Sequence, residues 1–156
     1  GVTLPAVRHN LTSLPARTLG RQDDSHNDWT YKTGSVHARY FRLDDLANQL
    51  AVYHRQDAQR LTFLTGLHTC DLLVLDDFLT TPIPGETAAE LLNILAAREG
   101  RGSTVVTSQF DPEDWYRSLH DAVIAESILN RIVSSAELVQ LDGPNMRRHT
   151  HAETTS

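Results

Sequence analysis

The sequence is poor in cysteine, in long apolar runs and in net positive charge. Its single cysteine, Cys70, cannot form an internal disulfide, which fits the reducing environment of the cytoplasm. No apolar run approaches the length of a membrane span and no secretory signal is visible, so we expect a cytoplasmic protein without membrane contact. The net charge of -6 argues against a surface that binds nucleic acid over its whole extent, although a local basic patch is compatible with it.

The rest of the composition is that of an ordinary globular protein. The 156 residues are 40% hydrophobic and 22% charged, which is typical of one soluble domain with its own core. The chain opens on Gly1 instead of a methionine, which is consistent with a fragment of a longer protein. Its eight histidines are scattered without the spacing of metal ligands, and we assign them no metal.

The most informative stretch is residues 71–78, where four consecutive aliphatic residues precede two aspartates. An apolar run of this length is typical of a strand covered on both faces, as in a parallel sheet between helices. Ligands of such sheets bind beyond the carboxyl ends of the strands, where Asp76 and Asp77 would lie. Two acids there can hold Mg²⁺ through its waters and orient a water for attack on a phosphate. The plainer interpretation is a solvated acidic turn after a buried strand.

The remaining hydrophobic patterns predict strands that alternate with helices. Residues 1–34 have no clear period, and we interpret them as an irregular N-terminal segment before a core of residues 35–148 and a disordered tail of residues 149–156. Within the core we predict, in order, a strand from Val36, a helix capped by Asp44, a helix over 58–68, a strand over 72–76, a helix over 86–99, a strand over 103–109, a helix opened by Asp111, a helix over 124–132 and a strand at 138–141. This order indicates an open, parallel α/β sheet in three layers.

Several separate blocks of the chain resemble the IstB-like ATPases, in the same order as in that family. These are transposition helper proteins of insertion sequences, related to DnaC-type helicase loaders within the AAA+ group. The resemblance covers roughly residues 36–148 and is carried by the blocks 71–78, 89–98, 103–109, 125–133 and 143–148. It implies a three-layer parallel sheet of the P-loop NTPase (AAA+) type, ATP and Mg²⁺ as cofactors, and a transposase, DNA and further copies of the chain as partners.

The resemblance also implies roles for the polar residues at the strand ends. Asp76 would be the Walker B acid that holds the magnesium ion and so helps to bind the nucleotide. Asp77 would polarise the attacking water, with a side chain one methylene shorter than the glutamate of many AAA+ proteins. Ser108, with its neighbours Thr107 and Gln109, would be the sensor that hydrogen-bonds the γ-phosphate or the water. Without the family context these three residues are simply a polar strand end.

Two arginines match further positions of the family. Arg131 resembles the arginine finger, which reaches the nucleotide of a neighbouring subunit and stabilises transition-state charge. Arg147 resembles a sensor-2 arginine near the phosphates. The alternatives are an exposed helix arginine and a tail charge. Arg147, Arg148 and His149 also form a small basic cluster that could contact DNA phosphates.

The phosphate-binding loop of the family is not recognisable. Such a loop needs glycines, a lysine and a hydroxyl residue, whereas residues 19–25 contain no lysine. Lys32 is followed by too short a stretch to be that lysine. The segment 21–25 can, however, be encoded so that a shift of one base reads Gly-Lys-Thr-Thr. We therefore hypothesise that residues before about Gly34 are translated out of frame, which the coding DNA would decide.

The sequence thus indicates an ATP-binding AAA+ ATPase of the IstB type that assists DNA transposition, with its N-terminal P-loop unit missing or degenerate. A different class is an interaction module without nucleotide, which keeps an oligomer or transposase-binding surface. A third is a metal-dependent phosphohydrolase that uses Asp76 and Asp77 alone. This third hypothesis needs further acidic ligands at the ends of other strands, but residues 107–109, at one such end, are neutral.

Overall fold

In the part of the chain that the structure describes, the sheet has four strands, of which three are parallel. The computed structural model describes residues 29–33, 36–53 and 56–134. Across the sheet the strands follow the order β1 (Trp29–Thr33), β2 (Val36–Arg42), β3 (Leu72–Asp76) and β4 (Ser103–Val106). Strands β2, β3 and β4 run parallel, with Tyr40 opposite Val74 and Leu75 opposite Val106. The predicted parallel α/β sheet is therefore confirmed.

Strand β1 corrects the expectation that residues 1–34 are irregular throughout. It pairs antiparallel with β2, with Trp29 opposite Tyr40 and Thr33 opposite Val36. Four of its five residues are aromatic or β-branched, types that favour strands, but so short a run beside a polar stretch shows no clear period. The hydrogen-bonded partner strand decides its conformation. Residues 1–28, the predicted strand at 138–141 and the tail 149–156 lie outside the described residues.

The helices lie close to where the periodicity predicts them. They are α1 (Leu43–Val52), α2 (Ala58–Thr69), α3 (Gly85–Arg98), a 3₁₀ helix (Pro112–Ser118) and α4 (Ala122–Val133). Helix α3 contacts α1, α2 and α4 and is thus the centre of the helical packing. No helix in the described part of the chain is long and apolar enough to cross a membrane.

One helix start differs from the prediction, and another helix begins after Asp111 as predicted but is of the 3₁₀ type. Helix α1 begins at Leu43, so Asp44 lies in the first turn instead of capping it, and its carboxylate accepts the N–H of Asp45 (3.0 Å). The segment after Asp111 is a 3₁₀ helix and not an α-helix. Its bonds span three residues, as from the N–H of Asp114 to the carbonyl of Asp111 (2.9 Å).

Strand β3 is the centre of the apolar core, but its two faces are not equally covered. Leu73 and Leu75 are fully buried and pack in one cluster with Ile94 of α3. Leu72 and Val74 point to the opposite face and are only partly buried. Both faces of β3 are thus covered, completely on the side of Leu73 and Leu75 and in part on the side of Leu72 and Val74.

A buried arginine joins three elements at the other end of the sheet. Arg98, the last residue of α3, is 1% exposed. Its guanidinium donates to the carbonyls of Leu67 (2.7 Å), Cys70 (2.8 Å) and Ser103 (2.6 Å) and to the hydroxyl of Thr104 (3.0 Å). It thereby ties the end of α2 to the start of β4. The polar acceptors satisfy a charge that burial alone would strongly disfavour.

Candidate functional site

The two aspartates lie at the carboxyl end of β3, as their position after the apolar run predicts. Asp76 is the last residue of the strand. Asp77 follows in the left-handed backbone region, with a φ of 50°. Aspartate is one of the few residues other than glycine that adopts this conformation readily. The chain therefore leaves the sheet directly after Asp76, and the two carboxylates meet different partners.

The carboxylate of Asp76 is held from both neighbouring strands. The hydroxyl of Tyr40 on β2 donates to its Oδ2 (2.5 Å). The hydroxyl of Thr107, just beyond β4, donates to its Oδ1, which also accepts the N–H of Asp77 (3.0 Å). Burial alone would raise the pKa of Asp76, but the bonds from Thr107 and Tyr40 together hold that pKa below its ordinary value. Asp76 is thus a fixed anion at neutral pH.

Tyr40 is a site residue that the sequence patterns did not single out. Burial and the adjacent Asp76 carboxylate raise the pKa of its phenol, so it remains a proton donor at neutral pH. In sequence it is one residue of a short alternating strand, 36 positions before Asp76. Only the register of β2 against β3, with Tyr40 opposite Val74, shows that its ring can reach the strand end.

The carboxylate of Asp77 pairs with an arginine of β2. Nη2 of Arg42 lies 3.3 Å from Oδ2 of Asp77 and 3.2 Å from Oδ2 of Asp44. All three side chains are about half exposed, so these ion pairs add little to stability. They do set where the Asp77 carboxylate lies, at a place that water can reach.

The hydroxyl of Ser108 does not face the aspartates. Ser108 is buried, and its Oγ donates to the carbonyl of Phe78 (2.8 Å). The same oxygen accepts the N–H of Phe110 (3.2 Å) and the indole N–H of Trp115 (3.2 Å). These three bonds use the whole capacity of a hydroxyl. Of the polar residues that follow β4, Thr107 is the one that reaches Asp76, because its N–H still donates to the carbonyl of Leu75 (3.0 Å) and keeps it beside the end of β3.

The predicted arginines are not part of this cluster. Arg131 lies on α4, with its Nε 3.8 Å from a carboxylate oxygen of Glu99. Together with Leu95, Val106 and Ile132 it lines a small cavity between α3, α4 and β4. Arg147 lies outside the described residues. The structure thus brings together Asp76, Asp77 and Thr107 with Tyr40 and Arg42, and places Ser108 and Arg131 elsewhere.

The strand end fits a magnesium ion that phosphate oxygens help to hold. Mg²⁺ keeps several waters and is commonly bound by one or two carboxylates plus substrate phosphates. Asp76 and Asp77 supply two carboxylates, of which Asp76 is held in one orientation. Within residues 29–33, 36–53 and 56–134 no three side chains of the His, Cys, Asp or Glu types come together as a metal cluster. Bound waters, or a ligand such as a polyphosphate, would therefore complete the coordination of an ion held by the two acids.

Comparison with known proteins gives relatives of one kind. The chain is 42% identical over 87 residues to the insertion sequence ATP-binding protein y4uH of Sinorhizobium fredii (strain NBRC 101917 / NGR234), a match that covers 56% of this chain and 35% of that protein. It is 34% identical over 110 residues to y4pL of the same strain, covering 70% of this chain and 44% of that protein. It is 32% identical over 87 residues to the insertion sequence ATP-binding protein Rv3427c of Mycobacterium tuberculosis (strain ATCC 25618 / H37Rv), covering 54% and 35%.

The family match extends beyond residues 36–148, the region in which the sequence blocks resemble the family. The chain spans less than half the length of these three curated relatives. Residues 31–154 match the family described as IstB-like ATP binding protein, which takes in β1 from Tyr31 as well as the predicted core. Because this match covers most of the sequence and the sheet is of the expected parallel kind, the chain belongs to the IstB-like ATP binding protein family.

Proposed function

We propose that this chain carries the magnesium-binding end of an ATP site in an IstB-type ATPase that assists DNA transposition. The observation that supports it most strongly is the geometry of Asp76, which ends a parallel strand as an anion held by Tyr40 and Thr107. A fixed carboxylate at the carboxyl end of such a strand is well placed for the metal of a bound nucleotide. When bound, Mg²⁺ would neutralise the negative charge that develops on the phosphate during transfer.

The residues of the cluster divide the work in this proposal. Asp76 would hold the metal, and Asp77, half exposed beside it, would orient the attacking water. Thr107 takes the sensor position that the sequence suggested for Ser108, because its hydroxyl and not that of Ser108 lies against the acid. Ser108 instead fixes the strand end by binding Phe78.

Arg131 keeps its proposed role toward a second copy of the chain. Its side chain is about one-third exposed on α4 and lies beside Glu99, so it faces outward from the subunit. We propose it as the arginine finger for a neighbouring nucleotide, and Arg147 as the sensor-2 arginine. The core of residues 35–148 would thus act as a cytoplasmic oligomer that associates with a transposase and DNA.

The affinity for nucleotide depends on donors that the described residues do not include. In P-loop sites the backbone amides of a glycine-rich loop and a lysine bind the phosphates. Residues 29–33, 36–53 and 56–134 contain no loop of that pattern. We therefore expect this chain to bind ATP mainly through the metal, so that affinity should fall sharply when Mg²⁺ is removed.

Binding of a fluorescent ATP analogue, with Mg²⁺ or with a chelator, tests the proposal. We expect micromolar affinity with Mg²⁺ and a loss of about tenfold or more either without it or in Asp76→Asn, because that change removes the charge that holds the ion. Glu126→Gln is the matched control, since Glu126 is exposed on α4, a helix that supplies no residue of the cluster. Wild-type protein without magnesium-dependent binding would refute the proposal.

The second candidate, an interaction module without nucleotide, has one observation in its favour. Protein donors already occupy both oxygens of Asp76, and Arg42 pairs with Asp77, so neither acid requires a ligand. This candidate predicts no binding of the analogue under any condition, together with retained association with a transposase. The same titration therefore separates the two functions.

A further inference from the structure

The two oxygens of the Asp76 carboxylate are held from opposite sides. Oδ1 accepts hydrogen bonds from the hydroxyl of Thr107, just beyond β4, and from the backbone N–H of Asp77, just after β3. Oδ2 accepts one bond, from the hydroxyl of Tyr40 on β2. A donor on each oxygen restrains rotation of the carboxylate about its Cβ–Cγ bond more than donors on one oxygen alone. The Tyr40 hydroxyl is the donor on Oδ2 and therefore supplies the second of these restraints.

The strand register explains why Tyr40, and not a nearer residue, makes this contact. Arg42 is directly opposite Asp76 in the β2–β3 ladder, but its guanidinium turns to Asp77 and Asp44. Tyr40 lies two residues earlier, on the same face of β2 as Arg42. Its ring spans the offset along the strand, and its hydroxyl reaches Oδ2 at 2.5 Å. An aromatic ring loses little conformational freedom on ordering, so this arm is stiff.

We infer that Tyr40 is a positioning residue for Asp76: its hydroxyl holds Oδ2 so that the remaining lone pair of that oxygen faces a hydrated Mg²⁺ ion. The inference rests on the proposed function, since it assigns Tyr40 to the metal side of that ATP site. Groups that orient a ligand from behind commonly change metal affinity by 10–100-fold when they are removed. Tyr40 would not touch the nucleotide itself.

Tyr40→Phe removes the hydroxyl and keeps the ring, and Tyr116→Phe is its matched control because Tyr116 is exposed on the 3₁₀ helix. The probe is Mn²⁺ alone, and its binding is measured by the paramagnetic broadening of the Asp77 amide signal in NMR spectra. Wild type and Tyr116→Phe should show the same half-broadening concentration. Tyr40→Phe should require about tenfold more Mn²⁺, with thermal unfolding close to that of wild type.

A double-mutant comparison shows whether the effect passes through Asp76. In the Asp76→Asn background, Tyr40→Phe should change the Mn²⁺ response no further. An equal effect in both backgrounds, an unchanged response in Tyr40→Phe, or wild type without broadening would overturn the inference. Because Mn²⁺ alone is the probe, the inference stands or falls separately from ATP binding. A chain whose Mn²⁺ response depends on Tyr40 and Asp76, but which binds no ATP analogue, would refute only the proposed function.

Discussion

Replacing Arg98 by alanine should lower the free energy of unfolding by about 3–5 kcal/mol, because four buried acceptors would lose their donor. The guanidinium donates to three carbonyls and one hydroxyl that are shielded from water. Each orphaned acceptor costs about 1–3 kcal/mol, less what entering water recovers. The end of α2 and the start of β4 would lose their shared anchor.

Urea unfolding followed by circular dichroism measures this effect. Arg101→Ala is the control, because Arg101 is exposed three residues further on and should change stability by no more than about 0.5 kcal/mol. Arg98→Lys should recover only part of the loss, since an ammonium cannot reproduce the planar fork of donors. If Arg98→Ala cost less than about 1 kcal/mol, the buried cluster would not be the anchor described above.

Replacing Trp115 by alanine should also cost about 3–5 kcal/mol. The indole is 0% exposed and packs edge-to-face on Phe78, with ring centroids 4.9 Å apart. Its N–H donates to the hydroxyl of Ser108 (3.2 Å). Phe78 and Ser108 belong to the two segments that follow β3 and β4, so the indole braces both strand ends on which the candidate site is built.

Thermal unfolding by circular dichroism separates the packing from the hydrogen bond. Trp115→Phe keeps an aromatic ring and loses the indole N–H, and should cost about 1 kcal/mol for the bond plus a smaller packing loss. Tyr116→Ala, next to it and exposed, should stay within about 0.5 kcal/mol of wild type. Equal losses in Trp115→Phe and Trp115→Ala would show that the bond, and not the apolar volume, carries the effect.

Local patterns predicted the parts of the fold that repeat over several turns or a full strand. The apolar run before Asp76 gave β3 at its observed bounds, and the stripes of α3 and α4 gave those helices within about two residues. Strand β1 was missed because Trp29–Thr33 is too short to show a period, and its antiparallel pairing depends on β2. Pairing of this kind is a property of the sheet and not of the segment.

The candidate site was predictable only where the residues are adjacent in sequence. Asp76 and Asp77 stand together after their strand, so the pattern found both. Tyr40 and Thr107 reach Asp76 from 36 and 31 positions away, and only the strand register shows that they meet. The choice of Ser108 over Thr107 depended on which hydroxyl faces the acid, and only the contacts in the folded chain show that it is the hydroxyl of Thr107.

Arg98 shows the same limit in the core. A basic residue in the last turn of a helix is favoured by the helix dipole and is usually solvated, so its sequence position does not indicate burial. Gly102 explains the arrangement in part: a Cβ there would lie 2.8 Å from both the Arg98 guanidinium and the Cys70 carbonyl. The glycine therefore leaves room for a cation that would otherwise have to move outward.

Cys70 lies under the Arg98 guanidinium and is 2% exposed, and burial raises the pKa of its thiol more than the nearby Arg98 lowers it. Alkylating reagents attack the thiolate, so they can label this chain only when the junction of α2 and β4 opens. No second cysteine competes for the reagent. The rate of Cys70 alkylation therefore reports how often the junction of α2 and β4 opens, and it increases whenever that junction is destabilised.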